Sequence, residues 1–356
     1  MTDCWRFEPG RQLKSDPPIS SSAPDWIQPF YLLDQAWLKD KAKAQTSGST
    51  GEPKECAFSP QDLRTSIRAT EAHFQLKPRE DAPPIQAWSA LPMAGIGGRM
   101  MWWRSRTLGW TLTQMRPTAK PAVPAPLHGQ DRYDFGVATP QQASALMGNG
   151  GLTRFKQMLL GGAPVPAHLE TALTHAASSS GCIIHHGFGM TETLSHVATR
   201  LLGQTSYTPL DDVEFSASEG DGALVIHAPS RGVHHLKTQD AIRFNSDSLP
   251  LGFEWLGRLD DVINTGGIKV HPAQLEHQLA HILDGHLEGR RWYIAGRPHP
   301  ETGQSVTLVV EGLREPRLSA DWLELIAQSH PGPQRPREVE WRKTFDETAT
   351  GKVVRR

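Results

Sequence analysis

Long apolar runs are absent from this sequence, and their absence argues against the simplest routes into or through a membrane. No stretch approaches the about 18 apolar residues that a membrane-spanning helix needs. The first ten residues, MTDCWRFEPG, also lack the apolar segment of a secretory signal. We therefore expect a cytoplasmic protein with no membrane partner.

Cysteine is scarce as well. The sequence has 3 cysteines, Cys4, Cys56 and Cys182, and they lie far apart. A disulfide framework needs paired cysteines, and a cysteine-only zinc site needs several thiolates at close spacing, so neither is expected. This cysteine usage fits a reducing cytoplasm.

Charge of one sign is not in excess either. The 37 lysine and arginine residues nearly balance the 38 aspartate and glutamate residues, so the formal net charge is −1. Such a chain lacks the positive field that draws proteins to nucleic acids or anionic membranes. Its 356 residues exceed what one hydrophobic core usually serves, which predicts two domains. The oligomeric state stays open.

Helix and strand signals alternate through the middle of the chain. Ser59 and Pro60 are typical of a helix start, and apolar residues then recur at helical spacing. Further helices are predicted at 139–147 and 165–177. Short apolar runs predict strands at 85–91, 110–115, 135–139, 158–160 and 182–185. This alternation predicts an α/β fold whose mostly parallel sheet is covered on its faces.

The remaining regions have a different character. The first 44 residues show no strong periodicity, and we interpret them as a surface lead-in. A polar, strand-rich stretch covers 213–255. From about Asp260 helix and strand signals restart and predict a small α+β unit, so the predicted domains are 1–259 and 260–356.

A string of small polar residues gives the strongest chemical signal. It consists of Thr46, Ser47, Gly48, Ser49, Thr50, Gly51, Glu52, Pro53 and Lys54. The glycines let several backbone N–H groups converge on one anion, while the hydroxyls and the ammonium add donors. The string therefore predicts a phosphate-binding loop, although its lysine spacing differs from that of a P-loop.

Four further motifs follow in order along the chain. They are Phe188-Gly189-Met190-Thr191-Glu192-Thr193, Lys237-Thr238-Gln239-Asp240, Gly257-Arg258-Leu259-Asp260-Asp261-Val262-Ile263 with Gly266-Gly267-Ile268-Lys269, and Thr350-Gly351-Lys352. With the phosphate loop they resemble the motifs of the adenylate-forming superfamily of acyl-CoA synthetases, adenylation domains and luciferases. The resemblance implies that family's fold, in which a large N-terminal domain, here shortened, precedes a small mobile C-terminal domain.

The same resemblance implies an ATP site. The phosphate loop would hold the β- and γ-phosphates, Thr191 would contact the α-phosphate, and Glu192 would bind Mg²⁺. Thr191 and Glu192 would both take part in catalysis. Adenine and ribose would be bound by Gly162, Ala163, Pro164, Phe188, Gly189, Asp240 and Arg258. Phe188 stands where the family often has tyrosine, and Gln239 stands where it has glycine.

Two catalytic steps are implied as well. Lys352 would reach the α-phosphate and the attacking carboxylate, where a cation offsets the repulsion between two anions. Asp260 would be the pivot about which the small domain turns. That turn would bring Gly267 and Lys269 to the site for thioester formation with CoA, the co-substrate.

Local details resemble the short bacterial o-succinylbenzoate–CoA ligases of menaquinone biosynthesis, particularly the Thr-Glu-Thr-x-Ser-His pattern from Thr191 to His196. Their substrate is an aromatic dicarboxylate, and its second carboxylate needs a cation or several donors. The candidates are Arg99, Arg104, Ser195 and His196. The sequence does not separate the two arginines.

Other interpretations remain open. The protein could activate another aryl or aryl-keto acid, or it could be a degenerate nucleotide- or acyl-binding protein. The joint presence of Lys54, Glu192, Asp240, Arg258 and Lys352 favours an enzyme. A carrier-loading adenylation domain is less favoured because no carrier domain follows in the sequence. His185 and His186 lack convincing metal-ligand spacing, so we interpret them as ordinary histidines.

Overall fold

The computed structural model describes residues 4–8, 26, 42–45, 55–78, 81–93, 95–245, 251–283, 285–346 and 353–355. The helices in this part are α1 Pro60–His73, α2 Ile96–Leu108, α3 Pro140–Gly148, α4 Ala167–Ser180, α5 Pro272–Leu283 and α6 Pro316–Ser329. None of these described helices has the length and apolar character needed to span a membrane.

Strands outnumber helices. Those before the small unit are β1 Cys4–Phe7, β2 Ala42–Gln45, β3 Glu55–Phe58, β4 Gln86–Ser89, β5 Thr111–Met115, β6 Phe135–Ala138, β7 Gln157–Leu160, β8 Ile183–Met190, β9 Ser195–Leu201, β10 Ser206–Pro209, β11 Glu214–Ala217, β12 Ala223–Ala228, β13 Val233–Asn245 and β14 Gly252–Arg258. Those of the small unit are β15 Ile263–Thr265, β16 Ile268–Val270, β17 Trp292–His299, β18 Gly303–Glu311 and β19 Glu338–Arg342.

One 12-stranded sheet dominates the described part, in the order β1-β5-β4-β6-β7-β8-β9-β10-β14-β13-β12-β11. The run β5-β4-β6-β7-β8 is parallel, whereas β8 pairs with β9 antiparallel and the following strands continue that way. The α/β fold class is confirmed, but the expected mostly parallel sheet is only its first half. Parallel neighbours need long crossovers, and after β8 the chain connects its strands by short turns instead.

The predicted helices and central strands are confirmed, with shifts of a few residues at their ends. Ser59 caps α1 through a reciprocal bond pair, in which Asp62 N–H donates to Ser59 Oγ at 3.2 Å. Thr139 caps α3 in the same way with Gln142. Strand β8 is longer than predicted and extends to Met190, so it carries Phe188 and Gly189.

The first 44 residues, interpreted as a surface lead-in, contain one strand and most of a second in the described part. β1 forms the edge of the large sheet, antiparallel to β5, and buries Phe7. β2 pairs antiparallel with β3. Each segment has four residues, which is too short for a periodic signal, and β1 is stabilised by a partner more than 100 residues away.

Helix α2 is an element that the sequence did not predict. It contains Gly97 and Gly98, which lower helix propensity, and its buried face includes Met100 and Trp103. A Cβ on Gly98 would lie 2.4 Å from the carbonyl oxygen of Pro92, so only glycine fits there. The glycines therefore serve close packing of α2 against the segment before it.

The small unit has a sheet and an apolar core of its own. β17 and β18 pair antiparallel along their lengths, and β18 also pairs with β15 and, in parallel, with β19. Helices α5 and α6 cover this sheet with residues such as Leu279 and Trp322. The chain passes from the large sheet to the small one through a short 3₁₀ turn, Leu259–Asp261.

Three histidines of the large sheet have lowered pKa values, and two of them, His186 and His196, lie buried near arginines. Burial, followed by the charge of His73, lowers the pKa of His185 to about 4. Burial, followed by the charge of Arg200, lowers the pKa of His186 to about 4. Burial, with Arg104 as the next cause, lowers the pKa of His196 well below its usual value. The folded protein therefore resists protonation at these positions.

Gly98→Ala tests the packing of α2. We expect a loss of about 1–3 kcal/mol in the free energy of unfolding, since the new methyl group overlaps backbone that cannot yield easily. Gly148→Ala at the end of α3 is the matched control, because a Cβ there meets nothing within 4 Å. Urea unfolding should show the control unchanged or slightly more stable. Equal stability of the two variants would contradict the packing argument.

The buried histidines predict acid sensitivity. Unfolded histidines titrate near 6.5, so below that pH the unfolded state binds more protons than the folded state. The free energy of unfolding should fall as the pH drops from about 6.5 towards the lowered pKa values near 4. Urea titrations at several pH values measure how steeply the free energy of unfolding depends on pH. His185→Gln should make this dependence weaker. An unchanged slope in that variant would remove His185 from the explanation.

Candidate active site

The predicted phosphate loop lies between two paired strands. Gln45 at the end of β2 is directly opposite Glu55 at the start of β3. The loop residues Thr46, Ser47, Gly48, Ser49, Thr50, Gly51 and Lys54 lie outside the described residues. Burial and the nearby Glu192 carboxylate raise the pKa of the Cys56 thiol on β3. The strands that flank the predicted loop are therefore close to Glu192.

The turn between β8 and β9 carries Thr191 and Glu192. Its backbone is fixed by Thr193, whose hydroxyl accepts from Met190 N–H at 3.0 Å and donates to the Ser195 carbonyl at 2.7 Å. Leu194 and Ser195 have positive φ angles of 54° and 83°. Two consecutive non-glycine residues in this region are strained and need such support.

Glu192 is half-buried, and within the described part its carboxylate has no ion-pair partner. Mg²⁺ prefers oxygen ligands and is commonly held by one or two carboxylates together with substrate phosphates. A single carboxylate near the strands that flank the predicted loop fits that requirement, so Glu192 is the residue that would hold the metal.

A loop after β7 forms the predicted adenine side. Gly161, Gly162, Ala163 and Pro164 follow the carboxyl end of this strand, and Gly162 has φ of 85°. The Ala163 carbonyl lies 3.1 Å from Nε2 of His186, whose Nδ1 lies 2.8 Å from the Tyr207 hydroxyl. A carbonyl only accepts, so Nε2 carries the proton and Nδ1 accepts from tyrosine.

His186 therefore connects the adenine loop to the strand that carries Phe188. The Phe188 ring packs edge-on against Tyr207 and Phe253, with ring centroids 5.8 and 5.1 Å apart. The sequence pattern assigns no role to His186. Its position two residues before Phe188 places both side chains on the same face of the strand, and this spacing is the sequence feature that could have indicated a role at the site.

The predicted ribose residues are brought together by strand pairing. Asp240 on β13 lies directly opposite Arg258 on β14. Asp240 accepts a hydrogen bond from the Trp255 indole at 2.8 Å. The guanidinium of Arg258 donates to both carboxylate oxygens of Asp260, at 2.8 and 2.7 Å, and this hydrogen bonding raises the pKa of Arg258. The predicted pivot Asp260 is thus tied to a predicted nucleotide ligand.

Arg104, Ser195 and His196 meet in the interior. A terminal nitrogen of Arg104 lies 3.4 Å from Ser195 Oγ and 3.5 Å from His196 Nδ1. Arg104 is 1% exposed, and its Nε has no hydrogen-bond partner in the described part. Burial, followed by repulsion from Arg231, lowers the pKa of Arg104 to about 9, so it stays positively charged at pH 7.

Arg231 is the second buried cation of this cluster, and it is paired. Its guanidinium donates to both carboxylate oxygens of Asp212 at 2.6 Å and to the His196 carbonyl at 3.0 Å. Arg99, the other arginine candidate, lies on α2 with its side chain bonded to backbone carbonyls of Met93, at 2.9 Å, and Lys43. Of the two candidates, Arg104 is the one beside Ser195 and His196.

The remaining predicted residues lie in or after the small unit. Gly266 and Gly267 form the two-residue turn between β15 and β16, both with positive φ, and Lys269 is exposed on β16. Lys352 lies outside the described residues. Within the described part no three His, Cys, Asp or Glu side chains cluster as a metal site.

Comparison with known proteins connects this geometry to a family. The model of the AMP-binding enzymes matches residues 45–218. Feruloyl-CoA synthase from Amycolatopsis is 25% identical over 352 residues, which cover 87% of this chain and 67% of that protein. The 2-succinylbenzoate–CoA ligase of Salmonella typhimurium is 26% identical over 298 residues, 78% of this chain and 59% of that protein. The chain thus spans about two thirds or less of these relatives.

Comparison with solved structures finds the same kind of enzyme. An acyl-CoA synthetase (AMP-forming)/AMP-acid ligase II-like protein from Dyadobacter fermentans is 27% identical, with a TM-score of 0.61 and coverage of 98% of this chain and 97% of that one. The fold of o-succinylbenzoate coenzyme A synthetase from Bacillus subtilis, solved with ATP and magnesium ion, matches with a TM-score of 0.69 and 19% identity over 87% of this chain and 68% of that one. Residues 45–218 thus match the AMP-binding enzymes, and the chain as a whole is similar to AMP-forming acid–CoA ligases of the adenylate-forming superfamily.

Proposed function

We propose that this protein converts an aromatic dicarboxylic acid to its CoA thioester in two steps, with ATP, Mg²⁺ and CoA. The best candidate substrate is o-succinylbenzoate, which would place the enzyme in menaquinone biosynthesis. In the first step a carboxylate oxygen of the acid bonds to the α-phosphorus of ATP, and pyrophosphate leaves. In the second step the CoA thiol, losing its proton, bonds to the acyl carbon, and AMP leaves.

The unpaired charge of Arg104 carries the substrate assignment. Arg104 and Arg231 are buried together, but only Arg231 has a carboxylate, that of Asp212, against it in the described part. His196 is neutral because its pKa is lowered. The cluster therefore holds one excess positive charge away from water, which is costly until an anion arrives. The distal carboxylate of a dicarboxylate supplies that anion.

Ser195 and His196 support this assignment by their place in the chain. They follow Glu192 by three and four residues, and Thr191 and Glu192 are proposed to act at the α-phosphate and the metal. One turn thus carries both the residues proposed for the reacting end of the substrate and those proposed for its distal end. Arg99 is the weaker candidate, since its donors already contact the backbone of Met93 and Lys43.

The proposed nucleotide site is built around the same turn. The phosphate loop at 46–54 would hold the β- and γ-phosphates. The segment 162–164 with Phe188 and Gly189 would flank adenine, and Asp240 with Arg258 would bind the ribose. Lys352 would supply the cation for the first step. A turn of the small domain 260–356 about Asp260 would then bring Gly267 and Lys269 to the site for the second.

A second candidate is the activation of a different aryl acid. Feruloyl-CoA synthase, whose name indicates a monocarboxylate substrate, matches at 25% identity, close to the 26% of the 2-succinylbenzoate–CoA ligase. Sequence similarity therefore does not rank the two acids. The chemistry of the Arg104 cluster favours the dicarboxylate.

A panel of acids tests the substrate. Purified protein with ATP and Mg²⁺ should release pyrophosphate faster with o-succinylbenzoate than with benzoate or ferulate. Arg104→Met should lower kcat/KM for the dicarboxylate by roughly 30-fold or more, as expected when one partner of a buried charge pair is lost. It should affect monocarboxylates less. Arg99→Met, the matched control on the same helix, should not discriminate between the acids. Equal losses for both acid types in Arg104→Met would end the dicarboxylate assignment.

Lys352→Ala tests the two-step mechanism. Acyl-adenylate formation should fall by ~10²–10³, the scale of losing one electrostatic partner of a transition state. Thioester formation from supplied acyl-adenylate should largely survive, because that step uses the other orientation of the small domain. Pyrophosphate release and thioester formation are measured separately. A similar loss in both steps would contradict the mechanism, and a wild-type protein that forms no adenylate would indicate the degenerate binding protein instead.

A further inference from the structure

The last described residues of the chain are held against the small unit by a charged pair. Arg355 donates from both terminal nitrogens to the two carboxylate oxygens of Glu276, each at 2.8 Å. Its guanidinium also lies over the Tyr293 ring, 5.7 Å from the centroid. A bidentate geometry with stacking orders an arginine more than a single surface contact does.

Glu276 is well placed to act as an anchor. It lies on α5, its side chain is 18% exposed, and Oε1 also accepts from the Ile294 backbone N–H of β17 at 2.8 Å. One carboxylate therefore joins a helix, a strand and the chain terminus. Burial raises the pKa of Glu276, so its ionised form depends on Arg355 and on the Ile294 N–H.

Further contacts fix the residues on either side of 347–352. Val354 N–H donates to the Asp346 carbonyl at 2.8 Å, and Val353 packs with the cluster of Tyr293, Val309 and Phe345. Upstream, Phe345 N–H donates to the Glu311 carboxylate at 2.8 Å. Both ends of this stretch are thus tied to the small unit.

We propose that Glu276 and Arg355 are positioning residues for the first catalytic step. This inference rests on the proposed function, in which Lys352 meets the α-phosphate. Lys352 precedes Val353 by one residue, and consecutive Cα atoms are only about 3.8 Å apart. A lysine stem is flexible, so accurate delivery of its charge depends on a fixed backbone beside it. The pair Glu276–Arg355 supplies that fixed backbone.

This positioning role differs from a contribution to general stability. The Arg355 side chain is 36% exposed, and Glu276 still accepts from the Ile294 N–H without it, so we expect variants of this pair to remain folded. A displacement of about 1 Å at a catalytic group can nevertheless cost 10²-fold in rate. Disruption of the pair should therefore be seen in the rate of one half-reaction before it is seen in stability.

The experiment compares Arg355→Ala and Glu276→Gln with Glu315→Gln in the full-length protein. Glu315 pairs with Arg290 at 2.7 Å in the same small unit and takes no part in the Glu276–Arg355 contacts, so it is the matched control. We expect both test variants to lower acyl-adenylate formation by ~10–10²-fold, with thioester formation from supplied acyl-adenylate within about twofold of wild type. Glu315→Gln should leave both half-reactions unchanged.

Hydrogen exchange of the terminal segment adds a readout that needs no activity. The Val354 amide should exchange slowly in the wild type and in Glu315→Gln, and faster in both test variants. A parallel loss of both half-reactions, or unchanged adenylate formation with faster exchange, would overturn the positioning role. Unchanged exchange would overturn the anchor itself. A wild-type protein that forms no adenylate would overturn the proposed function, and the positioning role with it.

Discussion

The close approach of β8 and β9 at Gly189 is the constraint on which the candidate site depends. A Cβ at this position would lie 2.0 Å from the Ser195 carbonyl oxygen, so no other residue allows the two strands to meet there. The short turn that results carries Thr191, Glu192, Ser195 and His196. Its strained backbone is supported by the Thr193 hydroxyl and by Ser66 of α1, which donates to the Leu194 carbonyl at 3.1 Å. The residues proposed to contact the metal, the nucleotide and the acyl acid therefore lie on one segment.

The charges around that segment support the proposed preference for a dicarboxylate. The histidines around it are kept neutral by burial and by neighbouring cations, so the positive charge belongs to the arginines. Asp212 balances one of them, and the remaining charge is available to an anion. A buried cation without a full set of partners lowers the stability of the folded protein. Such cations are therefore associated with binding sites, where a ligand supplies the missing partner.

In the proposed mechanism the small unit turns between the two steps, and such a movement requires a unit that is rigid internally. Its sheet and helices enclose a separate apolar core, while the connection to the large sheet is a single 3₁₀ turn. Arg258 is bound to Asp260 within that turn, so the proposed ribose ligand and the proposed pivot are in contact. The Glu276–Arg355 pair ties the last described residues of the chain to this unit.

The sequence by itself determined the α/β class, the helix starts at Ser59 and Thr139, and the candidate residues, because caps, apolar periodicity and motif order are local properties. It missed β1, β2 and α2, since short strands and a glycine-containing helix are stabilised by distant partners rather than by their own pattern. It also left Arg99 and Arg104 equal. Only the tertiary structure separated them, by directing one guanidinium to backbone carbonyls and burying the other beside Ser195 and His196, because the charge environment of a side chain is set by residues that folding brings together.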